Sequence, residues 1–138
     1  MLTVGGNELY DEFLDCVKKE GLTGSYFSAG IQSSACPWYQ VMDAFLLPSF
    51  FEGFPMVGVE AQASGLKCFF SDRISNEIDL CHNASFLPIG DGDEKIWAKT
   101  IDEKLENGRR VPDEFPSEFR IEIGAKLLED RYRDLLPQ

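Results

Sequence analysis

The chain has 138 residues, of which 43% are hydrophobic and 27% are charged, so it can form one domain with a substantial core and does not have a disordered composition. Its net charge of −11 argues against nucleic acid or an anionic membrane surface as a direct partner, although a helix N-terminus could still hold a small phosphate ligand. No apolar run is long enough to span a membrane, and the first residues lack a basic leader before a long apolar stretch, so we expect no signal peptide.

The four cysteines favour reduced thiols over a metal site. Cys16, Cys36, Cys68 and Cys81 include no C-x-x-C pair, and His82 is the one histidine in the sequence. A zinc site would need closer spacing and more histidine. We therefore expect no metal, and cysteines that are reduced, some of them packed in the core.

Apolar runs and amphipathic segments alternate along the chain. In chain order they predict a strand at 2–6, a helix at 7–21, a strand at 25–30, a helix at 36–42, a strand at 44–49, a helix at 55–65, strands at 67–71 and 84–89, a helix at 93–108, a linker at 112–119 and a helix at 121–135. Asn7 can cap the first helix and Gly21 can stop it. Pro55 suits the start of the third helix, and Gly65 suits its end.

This order of elements predicts an α/β fold with a parallel sheet covered by helices on both faces. Residues 1–111 would form the domain, and residues 112–138 a linker and a C-terminal helix that packs on it. Ligands of such sheets bind beyond the carboxyl ends of the strands, in the loops that lead into helices. Residues 49–55 form one such loop and are the candidate site.

Two glutamates flank the turn in this loop. Glu52 follows the predicted strand, and Gly53 lets the backbone approach a ligand closely. The N–H groups of the first helical turn, around Met56 to Gly58, could hold a phosphate together with the helix dipole. Glu60 could accept hydrogen bonds from a vicinal diol such as a ribose. Glu52 could bind a second polyol or lie near a developing positive charge.

A purely structural explanation of the two carboxylates also remains open. Glu52 could simply interact favourably with the helix dipole, and Glu60 could be solvated. The small residues Ala61, Ala63 and Gly65 favour a binding role instead, because they suggest a helix that packs closely against the sheet.

The stretch "EGFPMVGVEAQASG" resembles the E-x7-E signature of retaining glycosyltransferases of family 4, which have the GT-B architecture of two Rossmann-like halves. The preceding "VMDAFLLPSFFEGFP" is similar to the family pattern A-D-x-x-x-x-P-S-x-x-E-G-F-P. The following "EAQASGLKCFFSDRISNEI" resembles the branch that builds bacterial exopolysaccharides and capsules. The resemblance covers about residues 1–104, with "VGGN" in place of "VGDG" and Lys67 in place of a proline.

The resemblance implies roles for the residues of the loop. Glu60 would bind the ribose hydroxyls of a nucleotide, and Glu52 would be the catalytic residue beside the reacting carbon of the donor sugar. Backbone amides at Gly53, Phe54 and the neighbours of Pro55 would contact sugar hydroxyls, although Pro55 itself has no N–H group.

The same resemblance assigns the remaining donor contacts. Met56 and Val57 would lie where the start of the helix meets the diphosphate. Gly30 and Ile31, after the second strand, would lie near the nucleobase.

The implied activity is transfer of a sugar, typically a hexose, from a nucleotide-diphosphate sugar to a saccharide or lipid-linked acceptor, with retention of configuration. No cofactor or metal is implied, and the donor would be UDP-linked. The chain would be the C-terminal, donor-binding half of the enzyme, without its first strand and helix and the basic pair found there. The partner would be an acceptor-binding N-terminal half, from the same gene or a separate chain.

The resemblance further implies a cytoplasmic enzyme, at the inner face of the membrane when complete. This chain by itself is expected to be inactive. The alternative is a non-catalytic nucleotide-sugar-binding subunit, or a truncated remnant, that needs a partner chain.

Overall fold

The protein is described by a computed structural model that covers residues 1–6, 10–106 and 115–135. The predicted cap Asn7, the last two residues of the predicted 93–108 helix and the start of the predicted linker, at 112–114, lie outside these residues. The chain divides into two compact units, Met1–Met42 and Asp43–Gln138.

The first unit contains a pair of short parallel strands. Its elements are β1 (Leu2–Thr3), α1 (Tyr10–Lys19), a 3-10 helix (Thr23–Ser25), β2 (Phe27–Ser28) and α2 (Cys36–Tyr39). Leu2 lies opposite Phe27. Both strands are shorter than predicted because the chain leaves the extended conformation at Gly5 (φ 116°) and Gly30 (φ 64°).

The second unit contains a three-stranded parallel sheet in the order β3-β4-β5. Its elements are β3 (Ala44–Leu47), α3 (Met56–Ala63), β4 (Lys67–Ser71), a 3-10 helix (Asn76–Ile78), β5 (Ser85–Leu87), α4 (Glu94–Leu105), a 3-10 helix (Ser117–Phe119) and α5 (Ile121–Leu135). Leu47 pairs with Phe70, and Ser71 pairs with Leu87, so all three strands end at one edge of the sheet.

Two phenylalanines of β4 divide the core of this unit between the faces of the sheet. Phe69 packs with Leu87 and Trp97 of α4. On the other face, Phe70 approaches Gly58 of α3. Because neighbouring side chains of a strand point to opposite faces, α3 and α4 cover opposite faces of the sheet.

Glycines end two of the helices by the same hydrogen-bonding pattern. After α1, Gly21 (φ 69°) donates to Lys18 O, and the next residue donates to Val17 O. After α3, Gly65 (φ 75°) donates to Gln62 O, and the next residue donates to Ala61 O. Both are Schellman motifs, so the stops predicted at the two glycines are confirmed.

The predicted element order and the parallel pairing are confirmed. In the described residues the hydrogen bonds group the strands as two and three, so the predicted parallel pairing is distributed over two sheets.

The C-terminal helix α5 contacts the 3-10 helix Ser117–Phe119, and Gly124 lies so close to it that a Cβ would be 2.7 Å from Glu118 O. No residue of α5 is buried. The predicted division at residue 111 and the packing of α5 on the domain stay predictions. Among the described helices, none is long and apolar enough to cross a membrane.

Candidate functional site

The candidate site is the loop of residues 48–55, which connects β3 to α3. Pro48 follows the last residue of β3, and Pro55 is the N-cap residue of α3. Pro55 is buried, and its carbonyl accepts a hydrogen bond from Gly58 N–H at 2.9 Å. No side chain caps the helix, so the start of α3 is formed by the backbone alone. The loop therefore begins at the carboxyl edge of the sheet, as predicted.

The start of the loop is tied to the end of β4. The hydroxyl of Ser71 donates to Ser49 O and accepts a hydrogen bond from Arg73 N–H at 3.2 Å. The hydroxyl of Ser49 in turn donates to Phe51 O at 3.1 Å. The sequence analysis missed all three hydrogen bonds. The one from Ser71 to Ser49 has no local signal, because nothing in a local pattern pairs residues 22 positions apart.

Glu52 is half-buried in the loop, and its neighbours are open to solvent. Phe51 is 87% exposed and Phe54 is 42% exposed, while Gly53 has nothing within 4 Å of the position of a Cβ. Large exposed apolar side chains are unusual when they cluster, and here they surround the carboxylate that the sequence singled out.

Glu60 lies on the exposed side of α3. Its neighbours Val59 and Ala61 are both buried. Met56 is one turn before Glu60, and Val57 is three residues before it, so both lie on the same exposed side. The structure thus brings together three of the residues to which the resemblance gave nucleotide contacts, at the start of one helix.

Close packing of α3 on the sheet involves one of the three small residues expected, Ala61, and one that was not expected, Gly58. A Cβ on Gly58 would lie 3.0 Å from the ring of Phe70, and Ala61 is fully buried. Ala63, in contrast, is exposed, and Gly65 serves the turn after the helix. The predicted close approach is confirmed, with Gly58 as the residue that permits it.

Gln62 was missed by the sequence analysis and is 3% exposed. Its amide nitrogen donates to Gly58 O at 3.1 Å and to Ile78 O at 2.7 Å. Its amide oxygen accepts from the N–H groups of Leu80 and Cys81 at 3.0 and 3.3 Å. The side chain joins α3 to the segment after the 3-10 helix and so fixes the helix that carries Glu60. The sequence feature that could have indicated this role is a polar residue, Gln62, between the two small residues Ala61 and Ala63.

Gly30 and Ile31, the predicted nucleobase contacts, belong to the first unit, whereas the other predicted site residues belong to the second. Gly30 accepts a hydrogen bond from Gly5 N–H at 2.8 Å. Ile31 is 84% exposed. Their contact with a base stays a prediction.

Arg73 is the lone basic side chain in the three described segments that follow β3, β4 and β5, namely residues 48–55, 72–75 and 88–93. Its guanidinium group is exposed and lies 3.5 Å from the carboxylate of Asp72. The sequence analysis found no cation for the site. It did not consider Arg73, which is distant from Glu52 in sequence but follows the end of the neighbouring strand.

A shallow depression of about 280 Å³ adjoins the loop at Pro48. Residues 88–90 line it, together with Asp93, Glu94 and Trp97. The indole N–H of Trp97 donates to Pro88 O at 2.8 Å. This lining carries two carboxylates and no cation, so it does not favour a diphosphate.

The cysteines are free thiols, and one is packed in the core, as predicted. Burial raises the pKa of Cys68, which is 1% exposed, to about 12. Within residues 1–6, 10–106 and 115–135, no group of three or more His, Cys, Asp or Glu side chains could hold a metal ion.

Known proteins resemble this chain in sequence. Residues 1–107 match the family Glycosyl transferases group 1. Over 129 residues the chain is 31% identical to EpsF of Bacillus subtilis (strain 168), which is named as a glycosyltransferase. The match covers 90% of this chain and 32% of EpsF, so the chain spans about a third of the length of this curated relative.

Solved structures resemble it in fold. The apo form of the lipopolysaccharide outer core galactosyltransferase WaaB superposes with a TM-score of 0.71 at 20% identity, over 98% of this chain and 40% of WaaB. A chain of the GtfA/B complex superposes with a TM-score of 0.65 at 21% identity, over 96% of this chain and 29% of the other. At these identities the likeness shows the fold, an α/β arrangement with parallel sheets that matches GT-B glycosyltransferases.

These comparisons confirm the predicted fold class and, at its broader level, the predicted family. The match to the family model extends over most of the chain and includes the loop with Glu52 and the helix with Glu60. The chain therefore belongs to the family Glycosyl transferases group 1.

Proposed function

We propose that this chain is the donor-binding part of a retaining glycosyltransferase of family 4. The complete enzyme would move a hexose from a nucleotide-diphosphate sugar to a saccharide or lipid-linked acceptor in polysaccharide biosynthesis. The observation that carries the proposal is the placement of two carboxylates around one helix start, Glu52 in the loop after β3 and Glu60 on the exposed side of α3. Membership of the glycosyltransferase group 1 family supports it.

Each carboxylate has a distinct task in this proposal. Glu60 accepts hydrogen bonds from the ribose hydroxyls, while the backbone around Gly53 and Phe54 contacts the sugar. Glu52 lies beside the reacting carbon, where positive charge develops as the bond to the diphosphate breaks. Such a site acts by holding the donor in a reactive orientation and by stabilising charge in the transition state.

The departing diphosphate needs positive charge, and we assign this task to two features of the second unit. The first turn of α3, from Met56, presents the positive end of the helix dipole. Arg73 follows β4 at the edge of the sheet where the loop begins, and its guanidinium group is exposed. A bidentate guanidinium group is well suited to phosphate oxygens.

The donor that we propose is UDP-linked, and no metal or other cofactor takes part. The complete enzyme would act in the cytoplasm, at the inner face of the membrane. An acceptor-binding half, in the same protein or a separate chain, would complete the activity, because the chain spans 32% of the length of EpsF.

A second candidate is a nucleotide-sugar-binding subunit that does not catalyse transfer by itself. The likeness to a chain of an assembly named the GtfA/B complex favours it. In this alternative Glu52 and Glu60 bind the donor, and a partner chain supplies the acceptor site.

Calorimetric titration tests the donor proposal. The purified chain is titrated with UDP, GDP and ADP and with UDP-glucose, GDP-mannose and ADP-glucose. We expect saturable binding of the uridine pair, with the sugar nucleotide binding more tightly than the free nucleotide. Failure of all six ligands to bind would contradict the donor-binding role, and preference for GDP or ADP would contradict only the choice of base.

A transfer assay separates the two candidates. The chain is mixed with an acceptor-binding half and labelled donor. An enzyme half should restore sugar transfer only when Glu52 is intact. A non-catalytic subunit should bind donor but give no transfer in this mixture, whether or not Glu52 is intact.

A further inference from the structure

Ser71 is one of two polar side chains that are buried in the described residues, and it is completely inaccessible to solvent. It is the last residue of β4. A buried hydroxyl that found no partner would destabilise the fold, so its contacts indicate what it holds in place. Both of its hydrogen bonds lead to the carboxyl edge of the sheet.

The first of these bonds reaches the candidate site. The Ser71 hydroxyl donates its hydrogen to Ser49 O, one residue beyond the proline that ends β3. The same hydroxyl oxygen accepts a hydrogen bond from Arg73 N–H at 3.2 Å. One hydroxyl group therefore connects the chain leaving β3 to the chain leaving β4.

The connection continues to the residue before Glu52. The Ser49 side chain donates to Phe51 O at 3.1 Å, which closes the first turn of the loop on itself. The side chains of Phe50 and Phe51 add little packing here, since they are 73% and 87% exposed. The hydrogen bonds from Ser71 through Ser49 therefore support the backbone that leads to Glu52.

We propose that Ser71 is a positioning residue for Glu52. Its hydroxyl holds the start of the loop at the end of β4, so that the carboxylate is presented to the donor sugar in one orientation. This inference rests on the proposed donor-binding function. A purely structural serine would instead satisfy a core polar group without influencing the loop.

Two variants and one control separate these possibilities. Ser71→Ala removes both hydrogen bonds at nearly constant volume, and Ser71→Cys keeps the shape and a weak donor. Ile101→Val trims a partly buried side chain of α4 that packs against the Phe69, Leu87 and Trp97 cluster and takes no part in the serine hydrogen bonds. It controls for a general loss of stability.

The first measurement is the backbone amide order parameter of residues 50–54, by NMR on the 138-residue chain without ligand. We expect it to fall from about 0.85 to below about 0.6 in Ser71→Ala, to be intermediate in Ser71→Cys and to be unchanged in Ile101→Val. Equal order parameters in wild type and Ser71→Ala, or an equal loss in Ile101→Val, would overturn the positioning role whether or not the chain binds nucleotides.

The second measurement compares the dissociation constants of UDP and UDP-glucose for the same proteins. Ser71→Ala should leave the affinity for UDP within about twofold and lower the additional affinity due to the glucose by about fivefold, with partial recovery in Ser71→Cys. Parallel weakening of both ligands would overturn the proposal. Wild-type protein that binds neither ligand would contradict the proposed function. The ligand-free NMR measurement on residues 50–54 would still decide the role of Ser71.

Discussion

Glu52 and Glu60 are eight positions apart, yet their surroundings differ. Glu52 is half-buried in a loop whose first residues are held by serine hydroxyls. Glu60 is exposed on a helix whose opposite side is packed against Phe70. In the proposed function, Glu60 on the packed helix binds the ribose, which does not react. Glu52 on the loop lies beside the sugar carbon at which the bond breaks.

At the scale of single residues, Glu60→Ala should weaken the binding of UDP by about 1.5–3 kcal/mol, because the ribose hydroxyls lose hydrogen bonds to a charged acceptor. Glu60→Gln should cost less, since its amide oxygen can still accept. Calorimetry on the three proteins checks this order. Equal affinity of the wild type and the alanine variant would exclude the ribose contact.

Glu52→Gln should leave the affinity for UDP nearly unchanged and reduce the additional affinity due to the sugar. In a complete enzyme it should lower turnover more than donor binding, since the carboxylate acts mainly on charge formed in the transition state. If Glu52 only interacts with the helix dipole, its removal should instead cost up to about 1 kcal/mol of stability. Two measurements distinguish these explanations: the melting temperature without ligand, and the ratio of the affinities for UDP-glucose and UDP. A lower melting temperature with an unchanged affinity ratio would contradict a contact between Glu52 and the sugar.

Arg73→Gln should weaken UDP binding and make it less sensitive to salt, because one charge pair with the diphosphate is lost. We expect a loss of about 1.5–3 kcal/mol at low ionic strength. Lys99→Gln is the matched control, because Lys99 is also exposed and also lies beside one carboxylate, that of Glu103, but on α4. Loss of affinity in both variants to the same degree would indicate only a change in net charge.

At the scale of elements, α3 combines two kinds of support. Gly58 lets the helix approach Phe70, and the side chain of Gln62 joins it to Ile78, Leu80 and Cys81. Gly58 permits the close approach of the helix to the sheet, and the hydrogen bonds of the Gln62 amide attach the helix to residues 78–81. The helix that carries Glu60 is therefore held from its buried side.

Gln62→Leu should lower the free energy of unfolding by about 2 kcal/mol or more, because buried backbone groups of residues 78–81 lose their partner. Urea unfolding followed by circular dichroism measures this change. The exposed Gln32→Leu serves as the control and should stay within about 0.5 kcal/mol of the wild type. Similar stability of the Gln62→Leu variant and the wild type would show that the amide network contributes little.

At the scale of the whole molecule, sugar transfer needs donor and acceptor in one site. The chain spans 32% of EpsF and 40% of WaaB. Its two compact units contain the predicted contacts with the nucleotide sugar, Gly30 and Ile31 in one, Glu52 and Glu60 in the other. None of the described residues is assigned to an acceptor site.

The isolated chain should therefore show no measurable glycosyl transfer, since nothing in it is assigned to orient an acceptor beside the donor. The assay follows release of UDP and label from UDP-glucose with saccharide and lipid-linked acceptors. Hydrolysis of the donor without acceptor is the background to subtract. Robust transfer by the purified chain would disprove this expectation.

Local patterns in the sequence were enough to predict the order of the elements, their parallel pairing, the family and the positions of both glutamates. These features have local signals: periodic apolar residues, the proline Pro55, the glycines Gly21 and Gly65, and a short motif. Folding was needed to show that the strands group into two sheets, that Gly58 rather than Ala63 faces the sheet, and that Gln62 is buried.

The same holds for the contacts that surround the site. Ser71 meets Ser49 although 22 positions separate them, and Arg73 follows the strand beside the loop that carries Glu52. Such contacts arise from the register of β3 against β4, two strands that are separated in the chain by the loop and α3, so the pattern within either strand alone does not show them. The sequence was thus enough to identify Glu52 and Glu60 as candidates, but only the tertiary structure shows which contacts support the loop and the helix that carry them.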